Sequence, residues 1–490
     1  MAKCTPAPAA ATRERDQDGD LWERLRPQTE ECLRRFRDGP VSPRTAYDVE
    51  TELRKIFAEA ARALLEQEFN RLEPADKHQA AAKVRYRGQT YRINKKTPAE
   101  VATSFGPMTL WSFLYLAAED GEPGLHPLHV RLGIQGGGAT AVLAERVARV
   151  AVDHSQREVR QWLQSEHGLR WSNDRLRRVL REFHRTAVTF REEAQRDRLL
   201  YWLGEAARSH GRHRPVLAVG RDGIMVPIRG QGYQEASAAT VSVYDRGGRR
   251  LGTVYLGQMP EAHQQTLTAT LTALVSAVLR CWQGPRPRLV YVTDKGQAQD
   301  DYYRRVLRRL PDPRQPEQRL SWEWVLDFFH VCGYVGQLRD ALFGSGGWRW
   351  FQRMRQWLRD RPQGVSNILR SALQHWQRRK LSKTAQAEFW KAYRYLRRHR
   401  RWMDYARYRR QGLPIGSGVT EAACKTVFTQ RLKRSGMRWG KAFGQVIVDL
   451  RVLHLSGVWD TVVGRELQCR ALPERVSSPP QAQRSKRKVA

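Results

Sequence analysis

Cysteine is scarce in this sequence, and its cysteines are scattered. The 490 residues contain six of them, namely Cys4, Cys32, Cys281, Cys332, Cys424 and Cys469. None forms a CxxC pair or another short spacing that frames a zinc site, so we expect no structural zinc. Scattered cysteines without a disulfide framework are typical of proteins from a reducing compartment.

Long apolar runs are also missing. No stretch approaches the roughly 20 apolar residues that a membrane-spanning helix needs. The opening segment, MAKCTPAPAAATRERDQDGD, lacks the apolar centre of a signal peptide. We therefore expect a cytoplasmic protein with no membrane partner.

Acidic residues are few relative to basic ones. The 50 Asp and Glu residues face 86 Lys and Arg residues, which gives a net charge of +36 and a pI near 10.7. Arginine dominates the excess, and its planar guanidinium suits phosphate better than a point charge does. The charge therefore predicts a polyanionic partner, above all nucleic acid, with a merely solvated basic surface as the alternative.

The N-terminal part is predicted to be mostly helical. Residues 1–41 are rich in Pro, Ala and charge, which predicts disorder. Residues 42–138 are predicted to hold a long amphipathic helix and a small β element. Residues 139–190 have a helix-turn-helix-like pattern. Its last helix, which either enters a DNA major groove or has a solvated basic face, carries Arg175, Arg177, Arg178 and Arg181.

The central segment predicts an α/β fold. Strands PVLAVGRD, ASAATVSVYD and LGTVYLG are followed by a helix, strand RLVYVTD, a second helix and strand WEWVLDFF. The order βββαβαβ, antiparallel first and then parallel, is that of an RNase H-like sheet. We expect this core to span residues 210–332 and to be completed by helices within 413–465.

A helical insertion is predicted between the two parts of this core, over residues 333–412. Its tryptophans, which either form its core or stack on DNA, are Trp348, Trp350, Trp357, Trp376, Trp390 and Trp402. Residues 466–490 are rich in Pro, Ser and basic side chains, which predicts a disordered basic tail.

Three carboxylates are candidate metal ligands. Asp222 and Asp294 follow predicted buried strands, and Glu421 opens a predicted helix. If the first strand lies beside the fourth, the two aspartates are on strands about 4.8 Å apart. Glu421 shares a helical stripe with Cys424 and Phe428, and a carboxylate on such an apolar stripe is costly unless it is paired, protonated or metal-bound. Carboxylates of this kind can hold two Mg²⁺ or Mn²⁺ ions for phosphoryl transfer.

Each aspartate also has a structural interpretation, because Asp after a strand often caps a turn or a helix. Asp327 and His330, in VLDFFH, are expected to support the site, with direct metal ligation or a purely structural role as alternatives. Asp245, Asp300 and Asp301 are expected to be solvated helix or turn residues.

The motifs resemble those of DDE transposases of bacterial insertion sequences, specifically the ISKra type. The resemblance covers roughly residues 210–465. It rests on VGRDG, VTDKG, LDFFH and above all PIGSGVTEAACKTVFTQRLKRSGMRWG followed by LRVLHLSGVWD. Members of that family often carry a cysteine-paired, zinc-ribbon-like element before the helix-turn-helix, and those cysteines are absent from this sequence.

The resemblance implies that Asp222, Asp294 and Glu421 form the catalytic triad, and that Asp327 with His330 matches a D-x-x-H element. The residues that would hold DNA phosphates are Arg431, Lys433, Arg434 and Arg438. The implied protein is a nucleoid-associated transposase that binds terminal inverted repeats, cuts and joins strands, and acts as a dimer or larger assembly on paired ends. An RNase H-like nuclease or resolvase and a domesticated DNA-binding protein are the alternatives.

Overall fold

The computed structural model describes residues 18–117 and 123–476. Over these residues the chain is mixed α/β, as the sequence predicts. The α-helices are α1 (Asp18–Asp38), α2 (Pro43–Arg71), α3 (Pro127–Arg131), α4 (Ala141–Ala151), α5 (Gln156–His167), α6 (Asn173–Ala187), α7 (Arg191–Arg208), α8 (Gln265–Cys281), α9 (Gln297–Arg305), α10 (Phe328–Phe343), α11 (Trp348–Asp360), α12 (Gly364–Gln377), α13 (Lys383–His399), α14 (Tyr405–Arg410), α15 (Gly418–Ala423), α16 (Gln430–Leu432), α17 (Lys441–Leu455) and α18 (Trp459–Cys469). The strands are β1 (Lys83–Tyr86), β2 (Gln89–Thr103), β3 (Gly106–Ala117), β4 (Val216–Ile228), β5 (Gly232–Tyr244), β6 (Arg250–Gln258), β7 (Arg288–Thr293), β8 (Pro311–Asp312), β9 (Gln315–Arg319), β10 (Trp322–Leu326) and β11 (Glu474–Arg475). Among these described elements, no helix combines the length and the apolar character needed to cross a membrane.

The chain divides into two units. The first comprises Met1–Val147, Glu158–Val179 and Arg470–Ala490, and the second comprises Ala148–Arg157 and Leu180–Cys469. Each contains its own β-sheet, and the candidate acidic residues all lie in the second.

An antiparallel sheet, in the order β11-β1-β2-β3, forms the β element of the first unit. Tyr91 and Phe113 are buried in its core. Helix α2 packs against β3, where the Asn70 side chain donates to the Thr109 carbonyl at 2.9 Å and accepts from the Trp111 N–H at 2.7 Å. The long helix and the small β element that the sequence predicts are therefore both present.

Helix α1 corrects the prediction of disorder over residues 1–41. Its charged side chains pair along the helix, as Arg26 does with Glu30 at 2.8 Å. Cys32 is buried, and α1 packs against α2. Composition alone misses such a helix, because pairs four residues apart and contact with a neighbouring helix stabilise a sequence that is polar on average. Residues 1–17 of that prediction lie outside the described residues.

The C-terminal tail also differs from its prediction. Helix α18 extends to Cys469, and β11 pairs with β1, with Arg475 opposite Val84. Because a strand pair is held by backbone hydrogen bonds, a basic composition does not prevent it. Residues 477–490 of the predicted tail lie outside the described residues.

A five-stranded mixed sheet, in the order β10-β7-β4-β5-β6, forms the second unit's core. Strands β4, β5 and β6 are antiparallel neighbours, whereas β4, β7 and β10 run parallel. The first strand therefore lies beside the fourth, as the sequence argument assumes. Strands β4 and β5 are longer than predicted and join in a hairpin that closes at Ile228 and Gly232. Assignment to the RNase H-like fold remains a prediction.

Helices cover both faces of this sheet. On one face, Val216 and Val290 pack with apolar residues of α10 to α13. On the other face, Leu217 and Tyr291 pack with apolar residues of α7 to α9. We call these the insertion face and the α8 face, respectively. The alternation of side chains along each strand decides which face a residue joins.

Helices α10 to α14 form the predicted helical insertion, which begins at Phe328 rather than at residue 333. Trp348 is exposed. The tryptophans that pack, partly buried, against the core of the insertion are Trp350, Trp357, Trp376, Trp390 and Trp402. The structure therefore supports a core role for all of these tryptophans except Trp348.

Tyrosine hydroxyls occupy the outer edge of β10. The three bonds run from Tyr303 to the Trp322 carbonyl at 3.5 Å, from Tyr408 to the Trp324 carbonyl at 3.4 Å and from Tyr405 to the Leu326 carbonyl at 3.0 Å. An edge strand ordinarily presents free carbonyls to its surroundings. Here the alternate carbonyls of β10 already have donors.

Candidate active site

Asp222 lies within β4, and Asp294 directly follows β7, the neighbouring parallel strand. Strands β4 and β7 pair at a constant offset up to Val219 opposite Tyr291, and three more residues along that offset lead to Asp222 and Asp294. The sequence predicts that both aspartates follow their strands, which is the case for Asp294 but not for Asp222. Strands that pair in this way are about 4.8 Å apart, so the two carboxyl groups come from adjacent positions.

Asp327 continues this row on the next strand. Strands β7 and β10 pair up to Thr293 opposite Leu326, and the Asp327 N–H then donates to the Thr293 carbonyl at 2.8 Å. Asp294 is thus between Asp222 and Asp327. The sequence argument that Asp327 is two strands away from Asp222 holds.

Both candidate metal ligands from the strands belong to the insertion face. Along β4, the even-numbered residues from Val216 share that face, and Asp222 is one of them. Along β7, Val290 leads in the same way to Asp294. Burial raises the pKa of the Tyr334 hydroxyl in α10, and the Asp294 charge raises it further, as expected if the carboxylate faces the insertion.

A glycine allows the helix that carries Glu421 to approach this face closely. A Cβ atom on Gly220 would overlap with Oγ1 of Thr420, the residue before Glu421. Thr420 is buried and its hydroxyl hydrogen-bonds with that of Thr240 at 2.8 Å. Helix α15 therefore packs directly on β4 and β5, two residues from Asp222.

Glu421 is exposed, which corrects the prediction that it shares a buried stripe. Cys424 and Phe428 of that stripe are buried as predicted. Glu421 lies in the first turn of α15, before the π-helical segment Cys424–Thr429 that contains the two buried residues. The α-helical spacing therefore predicts the burial of Cys424 and Phe428 but not the exposure of Glu421 at the start of the helix. Because it is exposed, Glu421 does not need a metal ion to offset burial, although it does lie in the first turn of its helix as predicted.

Asp327 caps one helix and fixes the start of another. Its carboxylate accepts from the His330 N–H at 2.5 Å, at the start of α10. It also accepts from the Ser417 hydroxyl at 2.9 Å and from the Ser417 N–H. Ser417 is the N-terminal cap position of α15, so the buried Asp327 positions the segment that presents Glu421. The His330 side chain contacts the Tyr334 ring, with 5.4 Å between centroids.

The acidic groups influence one another electrostatically. Burial raises the pKa of Asp222, and the charges of Asp294 and Glu421 raise it further, while the Gly223 N–H, at 2.8 Å, opposes the shift. The Cys424 thiol donates to Asp222. Burial raises the pKa of this thiol, as do the three carboxylates. Like charges held together in this way favour a proton or a cation between them.

Lys295 is a site residue that the sequence argument misses. It has a positive φ of 71° and connects Asp294 to α9. Its Nζ lies 4.3 Å from the ring centroids of both Trp324 and Trp402 and donates to Asp300 at 2.5 Å. Burial lowers the pKa of this ammonium group. Asp300 is therefore an ion-pair partner rather than a solvated residue, and this turn fixes the backbone that presents Asp294.

No closed coordination shell is formed by these residues. Within residues 18–117 and 123–476, no group of three His, Cys, Asp or Glu side chains is arranged to hold a metal ion. The role of Asp222, Asp294 and Glu421 as metal ligands remains a prediction. Their chemistry suits hard divalent cations, which bind carboxylate oxygens together with water.

Among the arginines predicted to contact DNA from α6, Arg175 has a different role. Its guanidinium donates to the Gly137 carbonyl at 2.9 Å and to Glu100 at 2.8 Å, and it lies over the Trp171 ring. These contacts occupy the side chain within the protein. Arg178 and Arg181 are exposed, and Arg177 lies 3.6 Å from Asp174.

The basic cluster after Glu421 divides in the same way. Arg431 is buried, donates to the Ala151 carbonyl at 3.1 Å and lies over the Trp439 ring, so it is a structural residue rather than a phosphate ligand. Arg434 is exposed and donates to the Asp153 carbonyl at 2.9 Å. Lys433 and Arg438 are exposed.

No protein-family model matches this chain, and no curated protein matches it. The case for its function therefore depends on the site itself.

Proposed function

We propose that this protein is a DNA transposase that cuts and joins DNA strands in a metal-dependent reaction. The observation that carries the proposal is the convergence of three acidic residues from distant parts of the sequence. Asp222 in β4 and Asp294 directly after β7 come from neighbouring strands, and the close approach of Thr420 to Gly220 supports the position of α15 on the same face. The mutual effect on the pKa of Asp222 supports their proximity.

The proposed reaction needs carboxylates beside the bound phosphodiester, where their negative charge can hold cations. When bound, Mg²⁺ ions supply charge stabilisation at the attacking and leaving oxygens. Asp222, Asp294 and Glu421 would hold them, and Asp327 would fix the position of α15 through Ser417. In this proposal water first attacks the phosphodiester at an element end and frees a 3′-hydroxyl. This hydroxyl then attacks a phosphodiester of the target DNA and displaces a 3′-hydroxyl of the target strand. Paired ends imply at least two copies of the chain, acting at the nucleoid.

The net charge of +36 supports DNA as the substrate. A surface of this charge attracts the phosphate backbone regardless of sequence. Lys433 and Arg438 follow the helix that carries Glu421 and are exposed, which supports their proposed role in phosphate binding.

The decisive experiment first searches the DNA that flanks the gene for inverted repeats and then uses DNA that contains them as the substrate. The variant Asp222→Asn should lose cleavage and strand joining by at least about 100-fold and keep salt-sensitive binding. Asp340→Asn, which removes an exposed carboxylate paired with Arg339, is the matched control and should retain both activities. Strand joining by Asp222→Asn at the wild-type rate would refute the proposal.

The same assay separates the alternatives. A nuclease or resolvase would cleave DNA without joining the freed 3′ end to a target. A domesticated DNA-binding protein would bind the repeats without any cleavage by the wild-type chain. Mg²⁺ should also raise the melting temperature of the wild type, and Asp222→Asn should lose that increase, because only the folded acidic site binds the ion.

A further inference from the structure

A second cleft lies on the α8 face, opposite the acidic residues. Its volume is about 1010 Å³. Arg221 lines it, and because Arg221 and Asp222 are consecutive in β4, their side chains project to opposite faces of the sheet. The cleft is therefore separate from the candidate active site, although the same strand contributes to both.

Arg221 carries a buried charge with only neutral contacts. The side chain is 3% exposed. Its guanidinium donates to Thr268 Oγ1 at 3.0 Å and to Gln264 Oε1 at 2.9 Å, and it lies 4.4 Å from the centroid of the Tyr302 ring. Within the described part of the chain, its Nε has no hydrogen-bond partner. Buried charges are ordinarily paired with an opposite charge, so this guanidinium lacks an anion.

Three acidic residues line the cleft, namely Glu235, Glu261 and Asp301. Glu261 accepts from the N–H groups of Thr266 and Leu267, at 3.2 and 3.1 Å, and so caps α8. Asp301 lies 3.5 Å from Arg305. Glu235 lies over Gly223, and Glu261 is the only one of the three acids whose charge affects the pKa of Arg221. None of the three forms an ion pair with the guanidinium in the described part of the chain.

The group that covers Arg221 is held by an unusual backbone. His263 and Gln264 have φ values of 55° and 51°, in the left-handed region that side chains other than glycine rarely adopt. This conformation brings the Gln264 amide oxygen onto the guanidinium. Strained residues of this kind persist at sites where the strain has a function, and a strained cover is easier to displace than a relaxed one.

We propose that this cleft binds a phosphate group, which takes the place of the Gln264 amide oxygen on the Arg221 guanidinium. An arginine fork presents two N–H groups to a tetrahedral oxyanion with good geometry. Displacement of Gln264 opens the path to a side chain that is otherwise covered. Lys441, also in the cleft lining, adds a second positive charge.

Titration of the full-length protein with inorganic phosphate, in a buffer free of DNA and divalent metal and at constant ionic strength, tests the proposal. Calorimetry should detect saturable binding to the wild type. Arg221→Gln should weaken it at least tenfold, because the cation is lost. Gln264→Gly should strengthen it several-fold, because it removes the cover and relieves the left-handed strain. Arg308→Gln removes an exposed arginine outside the cleft and should leave the affinity unchanged.

Several results would overturn the inference. Equal weakening by Arg221→Gln and Arg308→Gln would mean that phosphate binds to the basic surface in general. Unchanged or weaker binding by Gln264→Gly would contradict the displacement, and this variant decides the matter if Arg221→Gln does not fold. Absence of phosphate binding by the wild type, or binding of a cation such as spermidine in its place, would also refute it.

Competition identifies the source of the phosphate. If a 5′-phosphorylated oligonucleotide displaces inorganic phosphate and its 5′-hydroxyl counterpart does not, the cleft takes the end of a strand. If neither displaces it, the cleft takes a free phosphate or a small phosphorylated molecule. Both outcomes support the site. Because these measurements use neither cleavage nor metal, their failure would leave the transposase proposal untouched.

Discussion

At the scale of single residues, Gly220 allows α15, the helix that carries Glu421, to pack on the sheet. A Cβ atom at this position would overlap with Thr420 Oγ1 and lie 3.1 Å from Thr240 Oγ1. We predict that Gly220→Ala destabilises the protein by about 1–3 kcal/mol, the usual cost of overpacking, and abolishes DNA cleavage. Urea unfolding and the cleavage assay measure the two effects.

Two further variants make this prediction specific. Thr420→Ala removes the overlapping hydroxyl, so the double variant Gly220→Ala/Thr420→Ala should recover part of the lost stability. Gly333→Ala places a methyl group where no atom lies within 4 Å and is the matched glycine control. A Gly220→Ala protein as stable and active as the wild type would contradict the packing described for α15.

The pKa of Asp222 predicts a dependence of stability on pH. Burial and the neighbouring charges raise this pKa in the folded protein, so the folded state favours the protonated carboxyl. At neutral pH the ionised group therefore opposes folding, and the opposition fades as the pH falls through the raised pKa towards the ordinary value near 4. We expect metal-free Asp222→Asn to be more stable than the wild type by about 0.5–2 kcal/mol at pH 7.

The same difference should shrink towards zero as unfolding is repeated at lower pH. Asp340→Asn, on the surface of α10, controls for the general effect of removing a negative charge. A difference that grows on acidification would have the wrong sign for a raised pKa. Loss of stability in Asp222→Asn at neutral pH would instead indicate that the carboxylate is needed to hold the fold.

At the scale of elements, Asp327 connects α10 to α15. We predict that Asp327→Asn costs about 1–3 kcal/mol, because it weakens a buried acceptor that serves the His330 N–H and both donors of Ser417. Cleavage should fall as well, since the start of α15 is no longer fixed. Asp404→Asn is the control.

Asp404 caps α14 by accepting from the Arg407 N–H at 3.3 Å but does not join two helices. Its substitution should cost only the value of a cap, about 0.5–2 kcal/mol, with cleavage retained. Equal effects of the two substitutions on cleavage would show that Asp327 acts as an ordinary cap.

The sequence predicts the strands and helices around the site better than it predicts the exposure of the Glu421 side chain. Short runs of apolar, β-branched residues identify β4, β5, β6, β7 and β10, because a strand buried on both faces is apolar at consecutive positions. Once the strand order is assumed, the sequence also predicts that Asp222 and Asp294 come from neighbouring strands. The π-helical segment after Glu421 and the left-handed turn at Lys295 have no such periodic signal, because tertiary contacts select them.

Side-chain roles are the least predictable part of the site. Arg431 and Arg438 occur in one basic run, yet the first is buried and the second is exposed. Composition predicts that both arginines bind DNA, because it records their charge and not whether their side chains point into the protein or into solvent. A buried arginine is revealed only when its neighbours, here the Ala151 carbonyl and the Trp439 ring, are located in space.

At the scale of the whole molecule, the excess of positive charge should make DNA binding strongly dependent on salt. The logarithm of affinity falls with the logarithm of salt concentration by about 0.9 for each phosphate neutralised. We predict that Lys433→Gln/Arg438→Gln lowers this slope by up to about 1.8 with little change in stability, because both residues are exposed.

Arg431→Gln is the informative comparison for that experiment. Its side chain is buried against Trp439 and the Ala151 carbonyl, so its replacement should lower the free energy of unfolding rather than the salt slope of the folded fraction. Filter binding across salt concentrations, with circular dichroism to report folding, distinguishes the two results. A reduced slope in a fully folded Arg431→Gln protein would return this residue to the set of phosphate ligands.

The tyrosines along β10 bear on how several copies of the chain could meet. Tyr303, Tyr405 and Tyr408 hold the alternate carbonyls that a strand from a second molecule would need. A strand from another molecule cannot be added at the β10 edge unless the tyrosine hydroxyls first leave these carbonyls. A second copy of the chain is therefore not expected to add a strand to the sheet at this edge.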